Sequence, residues 1–199
     1  MKHILKKRFV LASHSPGRIA LLKMLGYRFD IIPHSIEERF PGNALPEELV
    51  QNLAFLKATD VAGRVDSAII IGADTIVLHN KSILGKPKDI QDAKRILSLL
   101  SNSEHDIISG VCMMDMPSKK KLLRIGRTRI KMKRISEDEI EIYVRSGEPM
   151  DKAGAYAVQG EGKKFIEKIE GSYSNAVGLP LEIVQEMLNN FMDRNNSNA

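Results

Sequence analysis

The run "AIIIGADTIVL", residues 68–78, constrains the fold more than any other part of this 199-residue chain. It is too rich in isoleucine and valine, and too continuously apolar, to be anything but a buried strand. Yet Asp74 and Thr75 stand in its middle. A carboxylate in such a place costs several kcal/mol unless it is paired, hydrated or bound to a metal. Gly72, two residues earlier, predicts a bulge or a close backbone approach. Asp74 is therefore the residue most expected to do chemistry; the plain alternative is an acid capping a local turn.

Around this strand the pattern alternates. It predicts strands over 8–13, 28–33 and 68–78 with helices over 16–25, 46–62 and 89–100. Two strands follow near 105–115 and 121–134, then a helix over 137–146, a strand region over 154–168 and a final helix over 180–192. Ser15 can cap the first helix, Pro16 suits its first position and Gly26 its stop, while Ser136 and Glu139 form a capping box ahead of Ile140. Strands and helices that alternate early and give way to hairpin-like strands indicate an α/β fold with a mixed β-sheet. The length suits one domain, or one domain with two lobes, here taken as residues 1–193 followed by a disordered polar tail over 194–199.

Composition narrows the class. Aromatics are 5% and tryptophan is absent, so the core must be aliphatic. No segment approaches the roughly 20 apolar residues that span a bilayer, and the N-terminal apolar stretch is too short and interrupted for a secretory signal. The single cysteine, Cys112, excludes an internal disulfide framework and fits an inert buried thiol. A cytoplasmic location follows as the default. The net charge of +5 suits a polyanionic partner without identifying one. Much of the excess lies in "KKKLLRIGRTRIKMKR", residues 119–134. There Arg127, Arg129, Lys131 and Lys133 alternate with Thr128, Ile130 and Met132, as in a strand with one solvated face. No aromatic interleaves the run to stack a base, so nucleic acid is the weaker reading.

The stretch "VLASHSPGRIALLKMLGY", residues 10–27, runs a strand into two serines, a proline and an arginine at the mouth of a helix. Helix N-termini attract anions through unpaired N–H groups and the dipole. Ser13 and Ser15 add hydroxyls, and Arg18 adds a guanidinium suited to phosphate oxygens. The stretch alone reads equally as a phosphate cradle or as a capped helix with a solvated arginine. Lys86, between Gly85 and Pro87, sits on a stiff turn. Lys57 follows Leu53, Ala54 and Leu56 on a helix whose apolar face must be buried, which predicts a stem along the protein and an ammonium at an edge. Singly these lysines read as structural; with Arg18 they would surround a triphosphate. Glu37 and Glu38 are adjacent loop acids, ordinarily just solvated, but a Glu38 facing Asp74 would let two carboxylates share a divalent cation.

Other chemistries are excluded. There is no G-x-S-x-G elbow and no H-E-x-x-H. "QGEGKKF" echoes a P-loop only superficially, since Ala157 stands where its first glycine belongs and Phe165 follows the lysines. The five histidines lack metal-ligand spacing.

Taken together, the sequence resembles the Maf family of nucleotide pyrophosphatases, known as septum-formation-inhibitor-like proteins. "SHSPGR" resembles the family's S-x-S-P-R-R, "IGADTIV" its central aspartate motif and "GKP" its turn lysine. "GEPMDKAGAYAVQGEG" and "GSYSNAVGLPL" are similar to its C-terminal blocks, so the resemblance runs from Leu11 to about Leu181. It implies a mixed twisted sheet flanked by helices, with two lobes around a central cleft. It also implies hydrolysis of a nucleoside triphosphate to the monophosphate and pyrophosphate with a divalent metal, Mg²⁺ or Mn²⁺. By motif position Asp74 would be the proton acceptor, with Ser13, Arg18, Glu38, Lys57, Lys86 and Gln159 completing the site. Such chemistry needs water aimed in line at the α-phosphorus and charge on the leaving pyrophosphate neutralised. Glu38 and Asp74 would hold the metal, and whether Asp74 takes the proton or binds the metal stays open.

One departure bears on specificity. Gly17 replaces the first arginine of the family's pair, a position tied to base selection, whereas Thr75 and Gln159 match the branch acting on dTTP and UTP rather than 7-methyl-GTP. Pyrimidine preference with weakened discrimination is expected. Family members are often homodimers. The competing reading is a non-catalytic nucleotide- or RNA-binding regulator of cell division, which rests on the same anion-attracting loops and the family's name.

Overall fold

A computed structural model describes residues 7–37 and 45–196, with side chains through Phe191. Glu38 lies outside the described residues, as do 197–199 of the expected tail. The first strand, β1 (Phe9–Leu11), leads into α1 (Pro16–Met24), β2 (Phe29–Ile31), α2 (Pro46–Ala62) and β3 (Ala68–His79). After the short β4 (Ser82–Leu84) come α3 (Ile90–Leu100), β5 (Glu104–Met116), β6 (Lys121–Met132) and α4 (Glu137–Arg145). The chain ends with β7 (Ile166–Gly171), α5 (Tyr173–Val177) and α6 (Leu181–Asn196), so residues 194–196, expected as tail, are helical.

All seven strands form one sheet in the order β2-β1-β3-β5-β6-β7, with β4 paired to β3. β1 pairs in parallel with both β2 and β3, whereas β3–β4 and β6–β7 are antiparallel, so the sheet is mixed as expected. The parallel part is built by two helical crossovers, through α1 and α2, as parallel strands require.

The described residues separate into two compact units: those within 1–74, 109–126 and 178–199 form the first, and 75–108 with 127–177 the second. Each has its own apolar core. In the first, Val10, Ile70, Cys112 and Met114 from the strands, with Ala12 just past β1, pack with Ala54, Ala58 and Val61 of α2. In the second, Ile96, Leu97 and Leu100 of α3 meet Ile140 and Tyr143 of α4, with Ile107, Ile130 and Met132. Burial pushes the Cys112 thiol up to about 12, in keeping with an inert thiol.

Local signals act as the residues predict. Ser15 caps α1 by accepting from Arg18 N–H, and Gly26 takes a positive φ of 74° just past its end. Ser136 and Glu139 close a capping box on α4. The strand region expected over 154–168 is instead two 3-10 turns, Ala153–Ala155 and Glu161–Phe165, with β7 starting only at Ile166. Glycines at 154, 160 and 162 interrupt any strand there, and the apolar "AYAV" between them is buried as loop. Among the described residues no helix is long and apolar enough to cross a membrane.

The basic run behaves as a strand with one wet face. Arg127, Arg129, Lys131 and Lys133 are exposed while Thr128, Ile130 and Met132 are buried. Part of its charge is locally answered: Arg127 and Arg129 share Asp106, and Lys131 pairs with Glu167 at 2.7 Å.

Candidate active site

In the first unit the strand order 2-1-3 reverses direction at β1 and β3, the place where an open α/β sheet leaves a crevice beyond the carboxyl ends of its strands. β1 ends at Leu11 and runs through Ala12 into Ser13; β3 pairs with β1 over Ile69–Ile71 and continues to Asp74. The serine turn therefore leaves β1 beside the part of β3 that carries Asp74, three residues past the last paired position, in a strand that runs on to His79.

α2 is seated on the sheet by glycines. A Cβ on Gly72 would fall 2.3 Å from the Ala54 carbonyl oxygen, and one on Gly110 2.3 Å from that of Val50. The close approach expected at Gly72 is thus to this helix. Val50, Ala54, Ala58 and Val61 share the face laid on the strands, and Lys57 lies on it too, in a pattern of buried residues at 49, 50, 53, 54, 57, 58, 61 and 62. Its stem runs along protein, but the ammonium is not at an edge. Lys57 Nζ donates to Asp74 Oδ1 at 2.5 Å, and the two side chains are 2% and 6% exposed. The helix sits too close to the sheet for the side chain to reach water, so it ends on the one carboxylate within the strand. This answers how a charge is accommodated there: the pair offsets the desolvation of both ions.

Arg18 connects this pair to the first turn. Its Nε donates to the Gly178 carbonyl and one terminal nitrogen to the Ala73 carbonyl, both at 2.9 Å; the same nitrogen reaches Ser13 Oγ at 3.4 Å. Ser13 Oγ also accepts from Ser15 N–H at 3.2 Å. The Ser13 hydroxyl, 3% exposed, thus has two donors on its lone pairs, which leaves its proton to be donated elsewhere. Arg18 emerges as a brace between the serine turn, the residue before Asp74 and Gly178, a role the sequence did not suggest.

Of the residues expected at the site, Ser13, Ser15, Arg18, Lys57 and Asp74 are linked within the first unit. Gly17 occupies the first turn of α1 beside Arg18. Thr75 is the first residue of the second unit, which also contains Lys86 and Gln159. Lys86 is exposed on the bend after β4, next to a buried Pro87, and Gln159 is exposed between the two late 3-10 turns.

Among the described residues no group of three or more His, Cys, Asp or Glu side chains is assembled to hold a metal. One strand-borne carboxylate already facing an ammonium does not make an all-protein cage. It fits a hard cation that arrives on phosphate oxygens and takes one or two carboxylates from the protein.

A family model described as "Maf-like protein" matches residues 8–191. The chain belongs to this family. Within the Maf-like proteins it is 47% identical over 186 residues to a protein of Dictyoglomus thermophilum, covering 93% of this chain and 96% of that one. It is 48% identical over 183 residues to one of Alkaliphilus metalliredigens (92% and 95%), and 40% identical over 192 residues to one of Bdellovibrio bacteriovorus (94% and 100%). All three bear the name dTTP/UTP pyrophosphatase. The Maf-like match takes in every site residue expected from the sequence, from Ser13 to Gln159.

Proposed function

We propose that this protein hydrolyses pyrimidine nucleoside triphosphates, dTTP and UTP, to the nucleoside monophosphate and pyrophosphate, as a single catalytic domain in the cytoplasm. The observation that carries the reading is the buried Lys57–Asp74 pair, on the part of β3 that runs on past the end of its pairing with β1, beside a serine turn braced by Arg18. It stands in a chain nearly half identical to proteins named for that activity.

In the proposed reaction the oxygen of a water attacks the α-phosphorus in line, and the bond from that phosphorus to the bridging oxygen of the β-phosphate breaks, its electrons leaving with pyrophosphate. Asp74 accepts the proton from the water. Lys57 fixes the direction of that carboxylate. The Ser13 hydroxyl, its lone pairs already occupied, donates to a phosphate oxygen, with Ser15 and the first turn of α1 alongside. Lys86 and Arg18 balance phosphate charge, while Thr75 and Gln159 meet the nucleoside. Gly17, lacking a side chain, leaves the base less closely held, so discrimination among bases is broadened. A divalent cation, Mg²⁺ or Mn²⁺, would be held by the Glu38 expected from the sequence, with Asp74 as a further ligand if it is not itself the proton acceptor, and would supply charge neutralisation and a more acidic water.

The test is incubation with UTP, dTTP, 7-methyl-GTP, GTP and ATP in the presence of Mg²⁺, with products identified. Pyrophosphate and monophosphate, formed fastest from dTTP and UTP, are expected. Release of orthophosphate, a strong preference for 7-methyl-GTP, or binding without turnover would each reject the reading, the last in favour of a regulatory binding protein.

A further inference from the structure

Gln159 stands on a short turn in the second unit whose two ends are tied to one pair of side chains. Tyr143 of α4, fully buried, donates its hydroxyl proton to Glu148 Oε2 at 2.7 Å and accepts from the Ala157 N–H at 3.1 Å. The same Glu148 carboxylate accepts from the backbone N–H groups of Glu161 at 3.2 Å and Gly162 at 3.0 Å. Ala157 precedes Gln159 by two residues and Glu161 follows it by two, so the exposed glutamine lies midway between its anchors.

The fit leaves no slack. A Cβ on Gly160, whose φ is +107°, would fall 2.1 Å from Glu148 Oε1, and one on Gly162 would fall 2.6 Å from the Tyr143 hydroxyl. Burial, with the hydrogen bond to Glu148, pushes the Tyr143 pKa well up, so the phenol stays a donor to the carboxylate. A surface loop of this length would ordinarily lie against solvent with its N–H groups hydrated. Here three of them are taken by one acid and one phenol.

We propose that Tyr143 and Glu148 are positioning residues that fix the backbone on either side of Gln159 and thereby set the enzyme's base selectivity. The proposal rests on the reading of Gln159 as a nucleoside contact. Neither residue touches the nucleotide; each acts through the turn. Losing one of these hydrogen bonds should loosen the glutamine's placement and weaken discrimination more than turnover.

The experiment compares kcat/KM for UTP and for GTP in Tyr143→Phe, Glu148→Gln, Gln159→Ala and the double variant Tyr143→Phe/Gln159→Ala, at a temperature where thermal melts show each folded. Gln159→Ala should lower the UTP:GTP ratio about tenfold, and Tyr143→Phe about fivefold, the effect of one hydrogen bond. For UTP the loss should fall on KM rather than kcat. In the Gln159→Ala background Tyr143→Phe should change the ratio no further, since the residue through which it acts is gone. Loss of stability alone would not move such a ratio. If Gln159→Ala shifts the ratio while Tyr143→Phe and Glu148→Gln retain the wild-type value, the positioning role is overturned and the reading of Gln159 stands. If Gln159→Ala itself leaves the ratio unchanged, that reading falls and the positioning role falls with it. Should Tyr143→Phe not fold, Glu148→Gln, which keeps the shape and one acceptor oxygen, decides the matter in the same way.

Discussion

Two lysines of this protein pair with carboxylates in opposite surroundings. Lys131 meets Glu167 at 2.7 Å across the β6–β7 edge, each side chain nearly half exposed. Lys57 meets Asp74 at 2.5 Å with almost no exposure on either side. The first pair is ordinary surface chemistry, screened by salt and worth little. The second replaces what could have been two apolar side chains, which would pack there as well or better. The buried pair is therefore weak evidence for stability, and the reading proposed above, in which Asp74 is a fixed proton acceptor, gives it a different reason to be there.

That contrast can be broken most directly at Asp74. Asp74→Asn keeps the shape and one acceptor oxygen but carries no charge and cannot take a proton, and pyrophosphate release should drop by about 10²–10⁴-fold while nucleotide binding persists. Normal turnover by this variant would move the catalytic centre elsewhere.

Lys57→Met tests the same pair for folding. It strands a buried carboxylate, and chemical denaturation should show a loss of about 3–5 kcal/mol. Lys57→Met/Asp74→Leu should regain most of that stability and remain inactive. A double variant as unstable as the single would mean that packing around Lys57, not its charge, is what matters.

His105 extends the comparison to a buried polar group in the second unit. It is 3% exposed, its Nε2 lies 2.7 Å from the Tyr156 hydroxyl, and among the described residues its Nδ1 has no partner. Burial, with the charge of His79, depresses its pKa to about 4. The unfolded chain takes up this proton below its ordinary value near 6.5, the folded one only near 4. Stability is thus full above pH 6.5 and falls as the pH drops towards 4, by on the order of 3 kcal/mol from this group. Denaturation curves between pH 7 and 4 should flatten in His105→Asn; an unchanged slope would assign the acid sensitivity to the carboxylates.

Gly72→Ala should cost about 1–3 kcal/mol by pushing α2 off β3, and it should depress turnover because the same shift moves Lys57 relative to Asp74. Stability lost without any change in turnover would separate the helix seat from the site. At the small end, Lys131→Ala should leave the melting temperature in place at physiological salt, and a clear drop would erase the distinction between the two lysines.

Much of this was legible beforehand. The alternation of strands and helices, the Ser15 cap, the Ser136–Glu139 box and the wet face of β6 depend on residues near one another in the chain, where spacing is enough. The strand region expected over 154–168 differs because the buried loop "AYAV" imitates a strand's apolar content, while the glycines at 154, 160 and 162 break the run before it can pair. Lys57 carried a usable signal, since it occupies an apolar slot in the repeat of α2, but a lysine in such a slot ordinarily lets its long stem reach water. What denied it that route was the close seating of α2 over Gly72 and Gly110, a fact about two segments far apart in sequence.

By itself the sequence determined that a strand with an acid at its heart must be buried, that a serine turn opens the first helix, and that the chain is built as an α/β sheet, because patterning and local hydrogen bonding decide those things. Only the tertiary structure decided that the acid's partner is Lys57, that Arg18 braces carbonyls from two distant segments, and that a phenol and a carboxylate hold the Gln159 turn. Those are choices among many chemically equivalent partners, and distance in the folded chain selects between them.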